Sequence, residues 1–436
     1  MSALQNIRKT ISYARRNGVK EAFLAAAERL KQNRKEAYTY MPPSQEALEE
    51  QRKTAAQWIS GSDPLRKAPG FSILVPAYEP NPDYLRESLQ SVVNQTYRNF
   101  ELILADASPG TEAREILGSF SDARLSYISL PKNGGISINT NAAARLAIGD
   151  YIVLLDYDDL LTPDALYLAA ERILQTGAEI IYSDEDKCDS QALRFFEVNR
   201  KPDFDKDYFF SNNYICHMLV MKRELFLALM LRSEYDGAQD YDLLLRAPKS
   251  CIEHIPTVLY HWRTHPASTA GNPESKNYAY EAGKAALEDH LKNCRIRAEV
   301  THSRHRGFYD IHYLPDIFSA RSDVGVLGGK LVDRGHRIAG GLMDREGNVV
   351  YQGMYEWESG TMHRADTRQD GAAVDVRCMQ IRPELGGLYR EVFGCAYQEH
   401  VFREGQDLKQ KSLEFCRRVS ELGYLIVYDP SIRKEL

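Results

Sequence analysis

Short apolar runs alternate with amphipathic stretches along residues 71–186, and this alternation predicts a sheet covered by helices. The segments between the runs carry apolar residues at helical spacing, as at Leu85, Leu89 and Val92. Near-continuous apolar runs separated by such helices are typical of an α/β fold with a doubly wound, mostly parallel sheet. The predicted strands are 71–80, 100–108, 123–131, 151–156 and 179–186.

Capping residues predict where the intervening helices begin and end. Asn81 can cap a helix that has Pro82 at its first position. Residues 135–149 predict a helix closed by Gly149, because glycine suits the left-handed position after a helix. The helix after the fourth strand is predicted to end at Gly177 for the same reason.

Polar residues follow three of the predicted strands at the point where each strand ends. They lie at 76–79, 106–108 and 156–159. In open α/β sheets, ligands bind in the crevice beyond the carboxyl ends of the strands. The sequence therefore predicts that these three segments line one crevice.

Asp156 and Asp158 bring like charges together at that predicted edge. Residues two apart in an extended segment face the same side, and neighbouring carboxylates repel unless a cation lies between them or one takes up a proton. A hard divalent ion with oxygen ligands, Mg²⁺ or Mn²⁺, would relieve the repulsion and could also bind a diphosphate. An acidic turn in which Asp159 caps the next helix is the alternative interpretation.

The first 66 residues are predicted to form a polar, helical region that ends in a linker at 61–70. Residues 1–40 hold nine Lys or Arg against three Glu. We expect either a solvated helical hairpin or a docking arm for a partner or an anionic membrane face. The apolar face of its helix at 19–32 is predicted to consist of Phe23, Ala26, Ala27 and Leu30.

Composition narrows the class of protein. The length of 436 residues suggests two or three domains, and the formal net charge of −6 does not favour general binding to nucleic acid. Seven widely spaced cysteines without a C-x-x-C pair argue against a disulfide framework or a zinc site and fit a reducing compartment. The sequence shows neither a secretory signal nor an apolar run near the ~20 residues that cross a bilayer. We therefore predict a soluble, cytoplasmic protein. The alternative prediction is a cytoplasmic protein in peripheral contact with the inner face of the membrane.

Six motifs occur in order between residues 70 and 300: VPAYE, LADAS, NGGISINTNAA, LLDYDDLLTP, GAQDYDLLLR and VLYHWRTHPASTA. Together they resemble the inverting family-2 glycosyltransferases with a GT-A fold, in particular bacterial members that build surface polysaccharides. Each motif is weak alone, but six in sequence are specific. The resemblance implies a nucleotide-diphosphate sugar as the donor and Mg²⁺ or Mn²⁺ as the cofactor.

The resemblance also implies which residues form the site. Asp106 is expected to read the edge of the base, and Asp156 and Asp158 match the D-x-D that holds the metal and the diphosphate. His261 is implied as a third metal ligand, and Arg263 as a diphosphate contact. The segments that border the nucleotide contribute Pro76, Tyr78, Glu79, Asp106, Asn133 and Gly134.

Asp240 matches the last carboxylate of the family's E-D pair and is implied as the general base for the acceptor hydroxyl. The pair reads Gln239-Asp240 here, so an amide stands where the family has its first acid. A plain cap at the start of a helix is the alternative for Asp240. Trp262 is expected to form a sugar or acceptor wall. The acidic stretch 182–187 is expected either beside the donor sugar or acceptor or as a solvated loop.

Three functional hypotheses follow. The first is a metal-dependent, inverting hexosyl- or deoxyhexosyltransferase that acts on a glycan acceptor, expected to be lipid-linked. The second is a catalytically idle sugar-nucleotide-binding subunit that scaffolds a polysaccharide assembly complex. A nucleotidyltransferase ranks last, because VPAYEPNP lacks the glycines and the basic residue of such a loop.

Two segments in the last third of the chain are similar in sequence to segments of the preceding domain. Residues 376–389 resemble 216–229, and 404–431 resemble the GAQDYDLLLR motif and the strand after it. We predict a degenerate partial repeat that serves packing, acceptor binding or homo-oligomerisation, with an unrelated α+β appendage as the alternative. The predicted domains are thus 1–66, 67–300 and 301–436.

Overall fold

The computed structural model describes residues 11, 13–35, 38–61, 67–249, 252–265, 277–402 and 407–436, and these residues fall into two compact units. Parts of the predicted linker and of the motifs at 259–269 and 404–431 lie outside the described residues. The sheet unit comprises Tyr38–Phe204 and Tyr214–His290. The terminal unit comprises Met1–Ala37, Asp205–Asn213 and Leu291–Leu436. This division differs from the three predicted domains, because the predicted N-terminal region is split between the two units.

The strands are numbered here in chain order. In the described residues they are β1 (Phe71–Ala77), β2 (Phe100–Asp106), β3 (Leu125–Ser129), β4 (Tyr151–Leu154), β5 (Leu160–Leu161), β6 (Ile180–Cys188), β7 (Phe195–Asn199), β8 (Leu219–Lys222), β9 (Ile252–Arg263), β10 (Ala298–His302), β11 (Tyr309–Tyr313), β12 (Val324–Val332), β13 (Ile338–Gly340), β14 (Leu342–Met343), β15 (Gln369–Asp370), β16 (Ala373–Val374), β17 (Met379–Ile381) and β18 (Leu425–Glu435).

The helices are numbered in the same way. In the described residues they are α1 (Val19–Lys35), α2 (Gln45–Ile59), α3 (Pro82–Val93), α4 (Glu112–Gly118), α5 (Ile136–Ala144), α6 (Ala165–Thr176), α7 (Lys206–Ser211), α8 (Arg223–Leu229), α9 (Gln239–Arg246), α10 (Asn277–Asn293), α11 (Ile317–Ala320), α12 (Gly386–Phe393) and α13 (Leu408–Glu421). Short 3₁₀ turns lie at Ser233–Tyr235, Thr361–Asp366, Val376–Cys378, Pro383–Leu385 and Tyr397–Glu399.

The sheet unit is built on one sheet with the strand order β3-β2-β1-β4-β8-β6-β9-β5, and β7 pairs with β6. Strands β1 to β4 are parallel, whereas β8 runs antiparallel to both β4 and β6. Strand β9 is parallel to β6. The predicted mostly parallel α/β sheet is confirmed, with β8 as an antiparallel strand that the sequence analysis did not identify.

The core of the sheet unit lies between this sheet and its helices. Ile73 and Val75 of β1 are fully buried, as are Leu85 and Leu89 of α3. Full burial of one such side chain contributes roughly 1.5–3 kcal/mol relative to exposure. The apolar stripe of α3 thus fixes that helix on the sheet and places its first turn beside the carboxyl end of β1.

The predicted caps are mostly confirmed. The side chain of Asn81 accepts hydrogen bonds from the backbone N–H groups of the first turn of α3, and Gly177 ends α6 with a φ of 69°. Gly149 does not end α5, which stops at Ala144. A Cβ on Gly149 would lie 2.7 Å from the backbone nitrogen of Ser72, so this glycine allows close approach to β1 instead.

The N-terminal helices are present as predicted, but the buried face of α1 differs. Ala22 is buried, whereas Phe23 is 73% exposed. Ala26 and Ala27 are also exposed, and the side chain of Leu30 lies outside the described residues. No helix among the described residues combines the length and the apolar character needed to cross a membrane.

The terminal unit contains a second sheet with the order β13-β12-β18-β15, and β17 pairs with β12. Strand β12 is buried along its whole length. Its neighbours are antiparallel β17 and parallel β18. Val326 of β12 packs in one cluster with Tyr389 of α12 and Phe415 of α13, so these helices cover the sheet.

Candidate active site

The carboxyl ends of β1 and β2 lie side by side, as the sequence predicts. Ala77 pairs with Asp106 in the parallel ladder. The backbone N–H of Glu79 donates a 2.7 Å hydrogen bond to the Ser108 hydroxyl, which joins the two loops that follow these strands. Tyr78 is half-exposed beside this junction. The two segments expected to border a nucleotide therefore form one continuous edge.

Asp106 is fully buried at this edge, and its carboxylate is held by its own surroundings. It accepts hydrogen bonds from the backbone N–H of Ser108 at 2.9 Å and from the Tyr127 hydroxyl at 2.9 Å. Pro76 precedes this junction in β1, where it pairs with Ala105. Asp106 therefore shapes the loop, and a base edge would have to share its acceptor oxygens.

The loop before α5 is closed by a small hydrogen-bond network. The Asn133 side-chain oxygen accepts from the Gly135 N–H at 3.0 Å, and the Gly134 N–H donates to the Asn139 side chain at 3.2 Å. Gly135 has a φ of 89°, which favours glycine. The Asp236 carboxylate accepts hydrogen bonds from Ser137 in the first turn of α5. The predicted nucleotide loop is therefore tied to the segment that precedes α9.

Three carboxylates follow β4 within four residues. Asp156 is half-buried, and Asp158 accepts a 2.7 Å hydrogen bond from Nε2 of His265. Asp159 is 1% exposed. Burial raises the pKa of the Asp159 carboxyl well above its usual range, and the charges of Asp158 and Asp156 raise it further. A divalent cation at this turn would offset the repulsion between carboxylates that contributes to this raised pKa.

His217 completes this cluster. Ligand atoms of Asp156, Asp159 and His217 all lie within 4.8 Å of one another. The His217 ring stacks on Tyr260 at 4.5 Å between centroids, and its Nδ1 lies 3.2 Å from a Glu185 oxygen. Metal-binding histidines commonly bond a carboxylate through the ring nitrogen that does not bind the metal. The donor set therefore fits a divalent ion, with oxygen and imidazole ligands.

His217 is a candidate site residue that the sequence motifs do not indicate. It belongs to the short segment before β8, and the antiparallel pairing of β8 with β4 and β6 brings that segment to the edge of the sheet. The residue type alone gave no signal, because a single histidine after an apolar run is common in protein cores. The expectation of an antiparallel strand at Leu219–Lys222 would have indicated it.

His261 is not placed to be the third metal ligand that the resemblance implied. Its Nδ1 lies 2.6 Å from Asp186, and its ring contacts Tyr40 and Phe195. The neighbouring Tyr260 donates to Asp159 at 2.6 Å, whereas the carboxylate that contacts the His261 ring belongs to Asp186 of β6 and not to the acidic turn.

Arg263 holds the acidic turn in place. Its backbone N–H donates to Asp159 at 2.8 Å, and its side-chain Nε donates to the carbonyl oxygen of Asp158 at 2.6 Å. The guanidinium also donates to the Ser190 carbonyl at 2.8 Å and forms a 2.7 Å ion pair with Glu87. The diphosphate contact implied for Arg263 would require this fully buried side chain to leave Glu87.

The acidic stretch at 182–187 is not a solvated loop. It lies in β6, where three successive carboxylates are buried. Each of them faces a different histidine, at 2.6–3.2 Å. The pairs are Asp184 with His254, Glu185 with His217, and Asp186 with His261.

Asp240 is the second residue of α9, and the cap position belongs to Ala238, so the alternative of a plain cap is wrong. Burial raises the pKa of the Cys216 thiol to about 11, and the Asp240 charge contributes to that rise. The Asp240 charge therefore acts on Cys216, the residue before His217. The role of Asp240 as general base stays a prediction.

Residues 72–229 match the family model described as Glycosyl transferase family 2. The chain therefore contains a family-2 glycosyltransferase domain, and its predicted GT-A fold class is confirmed. The acidic turn, the nucleotide-side loops and His217 all lie within the matched residues.

Two curated relatives come from bacteria. The chain is 42% identical over 236 residues to the uncharacterized protein y4gI of Sinorhizobium fredii, which covers 52% of this chain and 26% of that protein. It is 35% identical over 265 residues to the O-antigen biosynthesis protein RfbC of Myxococcus xanthus, which covers 58% of this chain and 20% of that protein. The match thus spans about a quarter and a fifth of these longer relatives.

Among solved structures, the crystal structure of S. aureus TarS 1–349 in complex with UDP-GlcNAc aligns with a TM-score of 0.42 and 18% identity. The alignment covers 51% of this chain and 67% of that chain.

Proposed function

We propose that the chain is a metal-dependent, inverting glycosyltransferase of surface-polysaccharide synthesis. It moves a hexosyl or deoxyhexosyl group from a nucleotide-diphosphate sugar to a glycan acceptor that is carried on a lipid. The observation that supports this most is the cluster of Asp156, Asp159 and His217 beyond the carboxyl end of β4, within the residues that match the family-2 model.

The residues at this edge divide into a donor side and an acceptor side. Asp156 and Asp158 would hold Mg²⁺ or Mn²⁺, with imidazole ligation from His217 or His265. When bound, such an ion stabilises the charge that gathers on the leaving diphosphate. The nucleoside would lie against Tyr78 and the loops that carry Pro76, Glu79, Asp106, Asn133 and Gly134.

On the acceptor side, Asp240 takes the proton from the attacking hydroxyl group. A positioned base of this kind contributes about 10²–10⁴-fold to a rate. Attack from the face opposite the diphosphate inverts the anomeric centre. Trp262 of β9 is half-buried, and its ring lies 5.4 Å from that of His217, where it would form a wall for a sugar.

An idle sugar-nucleotide-binding scaffold is the second candidate. It is favoured by Gln239, whose side-chain oxygen accepts a 2.8 Å hydrogen bond from the Gly237 N–H and carries no charge. Hydrolysis of a nucleotide sugar, measured with and without Mn²⁺, separates the two candidates. Metal-dependent turnover identifies the enzyme, whereas binding without turnover identifies the scaffold.

We also place the protein in the cytoplasm, in peripheral contact with the membrane that carries its acceptor. No disulfide joins the six cysteines among the described residues, which is typical of a reducing compartment.

The donor is tested by thermal unfolding with a panel of UDP-, dTDP- and GDP-sugars. One nucleotide class is expected to stabilise the protein in the presence of Mn²⁺, by about 2.7 kcal/mol at a concentration of 100 Kd. Asp158→Asn is expected to lose this stabilisation while retaining the transition of the ligand-free protein. Equal stabilisation by the donor with and without metal, or in Asp158→Asn, would contradict the proposed metal site.

The histidine that completes the metal site is tested by Mn²⁺ titration of two alanine variants. His217→Ala is expected to weaken Mn²⁺ binding by about 10–100-fold, the range seen when residues around a metal site are changed. His261→Ala is the matched control, because its ring likewise contacts a carboxylate of β6 through Nδ1. Weaker Mn²⁺ binding in His261→Ala with an unchanged His217→Ala would restore the ligand set implied by the resemblance.

A further inference from the structure

The terminal unit repeats the strand arrangement of the second half of the sheet unit. Strand β6 pairs antiparallel with β8 and parallel with β9. Strand β12 likewise pairs antiparallel with β17 and parallel with β18. In both units a helix follows the antiparallel strand and another helix precedes the parallel strand.

The registers of the two arrangements also agree. Tyr182 pairs with Leu219 in the sheet unit, and Gly328 pairs with Met379 in the terminal unit. The sequence echo between 216–229 and 376–389 aligns the same two residues, Leu219 and Met379. The parallel ladders each contain a register shift close to these residues, after Ser183 in β6 and after Gly328 in β12. Two independent criteria therefore indicate one repeat.

The chemistry of the repeat has changed at its carboxyl edge. With these registers, Lys330, Leu331 and Val332 stand where β6 has its three histidine-bound carboxylates, and Arg377 stands where the sheet unit has His217. A lysine and two apolar residues cannot ligate a divalent ion. The repeat thus keeps the strand arrangement of the second half of the sheet unit but not the carboxylates and histidine at its carboxyl edge.

An aromatic ladder lies near this edge instead, formed by Arg337, Tyr355, Trp357 and His336. The rings of Tyr355 and Trp357 stack at 4.7 Å and 7°. The guanidinium of Arg337 lies 4.2 Å from the centre of the Tyr355 ring, and the His336 ring lies 5.8 Å from that of Trp357. The two stacked rings are half-buried, so part of each reaches the surface.

Charged groups fix the ladder to the end of the repeat. Lys330 Nζ donates to the Glu356 carbonyl at 2.9 Å, and Arg433 of β18 binds the Glu356 carboxylate at 2.5 Å. His336 Nδ1 lies 2.7 Å from the same carboxylate. Lys330 and Arg433 are paired across β12 and β18 just after the register shift. The ladder is therefore anchored at the edge that, in the sheet unit, carries the active site.

We propose that the terminal unit binds a glycan at the aromatic ladder, as an acceptor-holding half-domain without donor chemistry. A pyranose ring presents a flat face of C–H groups and a rim of hydroxyl groups. Stacked aromatic rings complement that face, and Tyr and Trp supply large contact areas. The guanidinium, imidazole and carboxylate groups around the ladder complement the hydroxyl rim. The choice of a glycan as the ligand rests on the proposed function. The choice of this edge follows from the rule that ligands of open α/β sheets bind beyond the carboxyl ends of the strands.

The test is calorimetric titration of the full chain with two oligosaccharide sets, one neutral (maltohexaose, dextran fragments) and one acidic (hyaluronan and alginate fragments). At least one set is expected to bind, and Trp357→Ala is expected to weaken that binding at least tenfold. Arg337→Ala, a change at an exposed position, is expected to weaken it as well and covers the case in which Trp357→Ala does not fold. Lys67→Ala, an exposed lysine of the sheet unit, is the control expected to bind as the native protein does.

Two results would overturn the inference. One is the absence of binding by either set, and the other is native affinity in a folded Trp357→Ala or Arg337→Ala. If the native chain instead shows a concentration-dependent oligomer that Trp357→Ala abolishes, the ladder is an interface between copies. Mn²⁺-dependent hydrolysis of the nucleotide sugar is measured in parallel, so loss of the proposed function and loss of glycan binding are read separately.

Discussion

Asp240→Asn is expected to reduce sugar transfer by about 10²–10⁴-fold, the contribution of a positioned general base. The amide keeps the size of the side chain but cannot take a proton from the acceptor hydroxyl. Binding of the nucleotide sugar should remain close to native, because Asp240 lies on α9 and not on the loops that follow β1 and β2. Transfer rates at saturating donor, with donor affinity from calorimetry, measure both effects.

The control for this change is Glu234→Gln, which removes a carboxylate at an exposed position shortly before α9. It should leave both the transfer rate and donor affinity unchanged. Full turnover in Asp240→Asn would remove this residue from the mechanism. A parallel loss of donor binding would instead assign Asp240 a role in holding the substrate.

Lys201→Met is expected to lower the free energy of unfolding by about 3–5 kcal/mol, the cost of breaking a buried ion pair on one side. The Lys201 ammonium is fully buried and lies 3.1 Å from the Glu185 carboxylate. Burial raises the pKa of Glu185, but Lys201 and His217 outweigh it and hold the pKa at about 2. Without the lysine, a buried carboxylate loses a cation that keeps it ionised. Urea unfolding monitored by circular dichroism measures the change.

Turnover should fall in the same variant, because Lys201 also donates to the carbonyl oxygens of Ile215 and His217. The matched control is Lys67→Met, whose ion pair with Asp150 is exposed and is expected to contribute only about 0–1 kcal/mol. Equal stability losses in the two variants would show that the buried ion pair contributes no more to the free energy of unfolding than the exposed one.

The elements of the sheet unit could be predicted because their signals are local. Asn81 and Pro82 predict the start of α3, and the apolar run before Asp156 predicts a strand that ends at a ligand-binding edge. The family motifs then pointed to the same edge. The ends of helices are harder to predict. Glycine at position 149 indicates a helix end by its residue type, whereas its role in the structure is close approach to Ser72.

The composition of the candidate metal site could not be predicted in full, because it depends on pairing between distant strands. His217 reaches Asp156 only through the antiparallel placement of β8. His261 and His265 both lie in a motif of the resemblance, yet the first lies within β9 and contacts Asp186, while the second lies beyond the end of β9 and contacts Asp158. The side of a strand on which a residue falls follows from register, which a single sequence does not state.

The row of acids in β6 has a consequence for how this protein can change over time. Asp184, Glu185 and Asp186 each contact a separate histidine. Inserting one residue before them would therefore turn each of the three away from its histidine, to the other face of the sheet. Length variation in natural homologues should therefore avoid β6 and accumulate in the exposed hairpin at 189–194 that follows it.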